Sequence, residues 1–295
     1  TSYRDDSPLK ELILKIYSYI QSNPFPEKWL TEKIEMFNLS NKLEDDFSTT
    51  PWGKELLNEV EDELIDSIAS LEAISKKMYG EPELEKFWQT IRNDMDKLQE
   101  LKNNLDSWDK AYQINQTLKF VTWPRQKVES QMKDYAKQIR DDVKKKLSKV
   151  LDRILIYDSK QANQDIYDMY ETLQKLKDMI LEFDQEFSKR KREKNIVDFN
   201  DIEHLALHVL LKEENGKIKP SEVAKRYQEK YVEIAIDEYQ DSNLVQEYIL
   251  NSVSKGNNIF MVGDVKQSIY KFRQAMPELF LDKYRKYKNL SLIHI

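Results

Sequence analysis

The stretch that most constrains this chain covers residues 231–275, YVEIAIDEYQDSNLVQEYILNSVSKGNNIFMVGDVKQSIYKFRQA. An alternating, β-branched run over 231–236 stops abruptly at Asp237-Glu238-Tyr239-Gln240-Asp241, and a second apolar run over 259–262 stops at Gly263-Asp264. Between them, residues 243–254 carry Leu244, Val245, Tyr248, Ile249 and Val253 at helical spacing. Strand, helix, strand is a βαβ unit, which demands a parallel sheet. In open α/β sheets ligands gather beyond the carboxyl ends of the strands, where both acidic segments stand.

An Asp-Glu pair at such a strand end suits phosphoryl transfer. One carboxylate can hold Mg²⁺, usually through water, while its neighbour orients or deprotonates an attacking water. In a chain with 53 acidic residues a bare Asp-Glu pair carries no signal. Placed directly after a buried β-run, and followed past the next strand by Gly263-Asp264-Val265-Lys266-Gln267-Ser268-Ile269-Tyr270, it becomes specific. The bland alternative is a solvated strand end.

The rest of the chain reads differently. Residues 7–20, 27–37, 53–79, 82–118, 125–157 and 161–192 show apolar positions at helical spacing within charge-laced sequence, the pattern of long helices in an antiparallel bundle. Charged residues make up 34% of the chain and hydrophobic ones 40%, so a core requires those charges to lie on the outer faces of amphipathic helices. Asn23-Pro24-Phe25-Pro26, Gly80-Glu81-Pro82 and Val121-Thr122-Trp123-Pro124 mark the corners. The aromatic stripe with Phe87, Trp88 and Trp108 is better suited to core packing than to base stacking. The fold expected is therefore mainly α: a long-helix domain over 1–195, then part of an α/β domain with a parallel sheet over 196–295.

Other features admit two readings. Over 125–149 nine cations stand against four carboxylates, Lys144, Lys145 and Lys146 among them, in a chain of net charge −6. Such a run can contact DNA phosphates in a sequence-blind, salt-dependent way, or it can be a solvated helix face. His204 and His208 have metal-ligand spacing without a third ligand in register, which argues against zinc. Asp198 is placed to cap a helix running through Leu211, residues 213–217 read as a turn, and 220–230 as a short helix. The chain has no cysteine, which excludes disulfides and thiolate chemistry and fits a reducing cytoplasm. No apolar run approaches the roughly 20 residues of a membrane span. Neither the G-x-x-x-x-G-K-[ST] nor the G-x-G-x-x-G phosphate loop occurs, and glycine totals only 5.

DEYQD and GDVKQSIYKFRQA together resemble the second and third motifs of superfamily I (UvrD-like) DNA helicases. VDFNDIEHLAL and SNPFPEKWL are similar to the A subunits of AddAB-type ATP-dependent helicase/nucleases. The resemblance implies a 1B-like helical insertion followed by the back half of a RecA-like 1A domain, an internal fragment of a bacterial enzyme that unwinds DNA 3′ to 5′ and processes ends in double-strand-break repair. It implies ATP and Mg²⁺ as cofactors, with Asp237 on the metal, Glu238 as base for the hydrolytic water, Gln267 sensing the γ-phosphate, and Gln240 and Asp241 as network residues. Tyr270 and Phe272 would stack on bases and Arg273 would contact the strand, sequence-tolerant contacts that suit a translocating motor; packing under the loop is the alternative for the two rings. The partners implied are single-stranded DNA, a duplex end and a second subunit of B type, with no membrane. A UvrD-type helicase lacking a nuclease domain, or a non-catalytic helical scaffold, would fit the same residues. Without a phosphate loop, the chain by itself is expected to be inactive.

Overall fold

The computed structural model describes residues 5–264 together with Leu279, Asp282, Lys283 and Arg285. The described chain is mainly helical and divides into two units, residues 37–170 and residues 1–36 with 171–295. Helices α1 (Ser7–Ile20) and α2 (Pro26–Glu35) come first in the chain and belong to the second of these.

In the first unit a 3₁₀ turn, Phe47–Thr49, leads into α3 (Pro51–Met78). Thr50 caps α3 by accepting from Gly53 N–H at 3.0 Å, with Pro51 in the first turn. Gly53 is required by space: a Cβ there would lie 2.0 Å from the Phe47 carbonyl oxygen. Then follow α4 (Glu85–Lys102), α5 (Trp108–Thr117), an extended stretch over 118–130, α6 (Gln131–Ile154) and α7 (Ser159–Asp168). Val60, Leu64 and Leu71 of α3, Phe87 and Ile91 of α4 and Leu147 of α6 form its core. The aromatic stripe packs there: Trp108 is buried edge-on against Phe47, and its indole N–H donates to the Tyr157 carbonyl at 2.9 Å.

The extended stretch replaces the first turns of the helix expected from residue 125. It is held by a buried charge pair. Arg140 Nε donates to Asp94 Oδ2 at 2.6 Å, Arg140 Nη2 donates to the Val121 carbonyl, and Asp94 Oδ1 accepts from Val121 N–H at 2.7 Å. The guanidinium also lies over Phe120 and Trp123, at 5.5 and 5.4 Å from the ring centroids. Both carboxylate oxygens of Asp94 are thus satisfied, which burial of two opposite charges demands.

The second unit contains α1, α2, α8 (Tyr170–Glu193, from residue 171 on), α9 (Phe199–Leu210), β1 (Leu211–Glu214), β2 (Lys217–Pro220), α10 (Glu222–Lys230), β3 (Ile234–Ile236), α11 (Leu244–Val253) and β4 (Ile259–Met261). A single boundary at 195 does not match this division. The reason is packing: Tyr17 of α1 sits edge-on against Phe183 of α8 (5.0 Å), and Phe25 meets Tyr248 of α11 (6.0 Å), which joins the first 36 residues to the later ones. The helix expected over 161–192 is two helices, α7 and α8. The turn at 213–217 is the tip of an antiparallel hairpin, β1 with β2, whose Asn215-Gly216 corner has φ of 54° and 72°, the type I′ geometry matched to strand twist.

We predict that Arg140→Met, which leaves the Asp94 carboxylate buried and unpaired, lowers unfolding free energy in urea by about 3–5 kcal/mol. The double change with Asp94→Leu should restore most of that loss.

Candidate functional site

β3 and β4 pair in parallel, Ile234 beside Ile259, Ala235 beside Phe260 and Ile236 beside Met261, with α11 as the crossover. Both strands therefore end at the same edge. Two backbone bonds carry the pairing further: Val262 N–H to the Ile236 carbonyl (2.8 Å) and Tyr239 N–H to the Val262 carbonyl (2.9 Å). Alternation sets the faces, with Ile234, Ile236, Ile259 and Met261 half-buried and Phe260 58% exposed on the other side.

At that edge the chain turns sharply. Glu238 has φ 53° and ψ 39°, the left-handed region, which costs a side-chain-bearing residue roughly 1–2 kcal/mol. Three local bonds hold it: Asp237 Oδ1 accepts from Glu238 N–H (2.9 Å), Glu238 Oε2 accepts from Gln240 Nε2 (2.5 Å), and the Glu238 carbonyl accepts from Asp241 N–H (2.9 Å). Asp237 and Glu238 are exposed, whereas Tyr239 and Gln240 are each 1% exposed. Gln240 Oε1 also accepts from Asp264 N–H at 2.9 Å, so one amide bridges the acid after β3 and the backbone after β4. Asp241 Oδ1 is buried with no hydrogen-bond partner among the described residues.

Beneath the turn, Tyr239 Oη donates to Glu247 of α11, whose other oxygen accepts from Asn251 Nδ2 (2.8 Å) and pairs with Lys283 Nζ (2.6 Å). Burial works to raise the Glu247 pKa, but these three donors outweigh it and hold the carboxyl below its ordinary value. Asn243 and Gln246 form a capping box at the head of α11, and Glu203 of α9 accepts from Gln246 Nε2 (2.8 Å) and Asn243 Nδ2 (3.4 Å). Glu203 thus fastens α9 to the segment that follows the acids.

α9 is capped as its sequence implies. Asp198 accepts from Asp201 N–H and Asp201 from Asp198 N–H, both at 2.9 Å. Lys191, only 6% exposed, donates to Asp198 Oδ2 (3.0 Å) and Asp201 Oδ1 (2.6 Å), and its ammonium lies 4.5 Å from the Phe187 ring centroid. Its place in the cationic run Lys189-Arg190-Lys191-Arg192 disguises it as a solvated helix end. His204 Nε2 lies 3.0 Å from the Gln21 carbonyl oxygen, a contact that puts the proton on that nitrogen. Among the described residues no group of three or more His, Cys, Asp or Glu could hold a metal ion.

The site residues expected from the sequence fall in three places. Asp237 and Glu238 share the strand edge with Asp264. Gln267, Tyr270, Phe272 and Arg273 lie outside the described residues. Lys144, Lys145 and Lys146 are exposed on α6 in the other unit; successive helical positions are about 100° apart, so the three fan around the helix. Only Lys144 of these lines the open cavity of about 480 Å³ that also takes in Asn115, Gln116, Lys119 and Ser148. Residue spacing does not single out Glu203, Glu247 or Lys191. The Asn243-x-x-Gln246 spacing could have announced the α11 cap, but nothing local announces Glu203's reach.

As ligand donors, Asp237 and Glu238 offer only oxygen, are exposed, and among the described residues face no paired cation. One or two carboxylates completed by water and phosphate oxygens is the donor set Mg²⁺ takes, so the residues present fit that ion.

The UvrD/REP helicase N-terminal domain matches residues 85–288. The chain belongs to the UvrD/REP helicase family. It is similar to the A subunit of the ATP-dependent helicase/nuclease of Ruminiclostridium cellulolyticum, with 37% identity over 96% of this chain and 23% of the relative. The same-named proteins of Acetivibrio thermocellus (40%, 96% of this chain, 24% of the relative) and Clostridioides difficile (38%, 96%, 23%) are similar to it in the same way. The chain spans about a quarter of the length of these curated relatives. The family match takes in both the acids after β3 and the segment after β4, in agreement with the resemblance drawn from those motifs.

Acid should release the α8–α9 joint. Burial tends to raise the Asp198 pKa, while the Asp201 N–H and Lys191 hold it below the usual carboxylate range. The stability it contributes is therefore complete above the unfolded value and lost as pH falls through the folded one. We expect unfolding free energy to drop below about pH 4, and Lys191→Met to flatten that drop while destabilising the chain at pH 7.

Proposed function

We propose that this chain is the part of an ATP-dependent DNA helicase/nuclease subunit in which the second and third helicase motifs meet, with the helical unit as a 1B-like insertion and the unit holding β3 and β4 as part of a RecA-like 1A domain. The observation that carries the reading is the position of Asp237 and Glu238: adjacent, exposed carboxylates at the carboxyl end of a parallel strand, within a UvrD/REP match. In this reading Asp237 holds Mg²⁺ and Glu238 orients and deprotonates the water that attacks the γ-phosphate of ATP. Mg²⁺, when bound, neutralises charge on the phosphate oxygens. Glu238 can act because its left-handed turn projects it beyond the strand while Gln240 and the Asp237 carboxylate fix its position. Gln267 senses the γ-phosphate, and Tyr270, Phe272 and Arg273 hold single-stranded DNA.

A cytoplasmic bacterial enzyme that unwinds 3′ to 5′ and processes broken ends with a B-type partner is the setting inferred from the names of the relatives and the motifs. Among the described residues no helix is long and apolar enough to cross a membrane. We infer that the chain alone does not turn over ATP, since no sequence in it can cradle the β- and γ-phosphates.

In the full-length protein, Glu238→Gln should lower the rate of DNA-stimulated ATP hydrolysis by about 10²–10⁴-fold with little change in ATP affinity; wild-type turnover in that variant would end the reading. For the basic helix, changing Lys144, Lys145 and Lys146 together to Glu should weaken single-strand binding and reduce the log–log salt slope by about one for each phosphate no longer touched. Fluorescence anisotropy across a salt series checks this, and an unchanged slope means a merely solvated face.

A further inference from the structure

We propose that Gln240 is the positioning residue through which the hydrolytic carboxylate and the segment after β4 sense one another; the proposal rests on the ATPase reading above. Its side-chain amide makes two bonds, Nε2 to Glu238 Oε2 at 2.5 Å and Oε1 from Asp264 N–H at 2.9 Å, and the side chain is 1% exposed. Asp264 opens the DVKQSIY sequence that carries Gln267 and Tyr270.

The chemistry at both ends fixes the amide's orientation. A carboxylate can only accept and a backbone N–H can only donate, so the reversed amide would set oxygen against oxygen and N–H against N–H. No other side chain meets both demands at this reach. Glu would face the Glu238 carboxylate with a second one, Asn is a methylene short, Lys and Arg have no acceptor, and Met has neither group. Burial removes water as a substitute for either bond.

Glu238 has few other constraints. Its backbone is left-handed, its N–H is taken by Asp237, and its carboxylate is held from within the described residues by this amide. When Glu238 turns toward water or accepts a proton, its bond to Nε2 weakens. The amide then has no reason to stay in the orientation that receives Asp264 N–H. Linkage makes the effect reciprocal: a strand of DNA that pulls on the chain after Asp264 shifts Gln240 and thereby Glu238. The same βαβ geometry that brings the strand ends to one edge supplies the short path, two hydrogen bonds long.

The test uses the full-length protein and measures affinity for a fluorescent, non-hydrolysable ATP analogue with and without a dT oligonucleotide, alongside steady-state hydrolysis. Wild type should show a DNA-dependent change in analogue affinity of about fivefold or more. Gln240→Met, close in volume but without either bond, should bring that ratio to about one and cut DNA stimulation of turnover, while its KM for ATP without DNA stays within about twofold. Glu238→Gln, whose new amide oxygen can still accept from Gln240, should abolish hydrolysis yet keep the affinity ratio. If Gln240→Met fails to fold by its thermal transition, Gln240→Glu, which retains volume and the bond from Asp264, serves in its place with the same expected loss. A wild-type affinity ratio in a folded Gln240 variant overturns the relay and leaves the ATPase reading intact. Normal hydrolysis by Glu238→Gln overturns both.

Discussion

Parallel pairing is the constraint from which the site follows. Two strands pointing the same way cannot be joined by a tight turn, so the chain must leave the end of β3, travel back as α11 and re-enter as β4. Ile236 and Met261 then stand side by side, and whatever follows each strand emerges at one edge. Asp264 is far along the chain from Asp237 and Glu238, yet it shares their edge because the crossover brings it there. The capping box on α11 makes the return possible at a definite place, and Glu203 fixes that cap to α9.

Charge, as much as apolar contact, holds the helices in register. A chain that is one-third charged buries some of those groups, and the structure shows how they are accommodated. Arg140 with Asp94 in one unit and Lys191 with Asp198 and Asp201 in the other are surrounded by partners and by aromatic faces. Such clusters contribute little net free energy compared with an apolar core of the same volume, because each charge must first be stripped of water. What they supply is geometry. The first pins an extended stretch that helix periodicity would have continued, and the second sets the junction of α8 and α9.

Much of this is legible in residue spacing. The βαβ unit, the cap at Asp198 and the long helices of the bundle all follow from it, since each depends on neighbours within a turn or two. The departures share a cause as well. Strands β1 and β2 are hard to see although Asn215-Gly216 is a hairpin signal, because Lys212 to Lys219 has too few apolar residues to read as strand. The helix expected from 125 begins at Gln131, since Arg140 draws Val121 and its neighbours into an extended path. Spacing groups the first 36 residues with the bundle, but Tyr17 and Phe25 find their partners in Phe183 and Tyr248, far along the chain.

The amino-acid sequence by itself determined the kind of chemistry at the site and the elements that carry it: paired carboxylates ending a β-run, an amide two residues later, and a second strand with its own acid. Their types and order are local properties, and local preferences are enough to specify them. Only the tertiary structure decided which of these groups touch. That Gln240 spans two strand ends, that Lys191 is a buried partner of two caps rather than one of four solvated cations, and that the Lys144 side of α6 lines a cavity while its neighbours turn away all depend on distant segments meeting. Those meetings are set by packing and desolvation, which no spacing along the chain encodes.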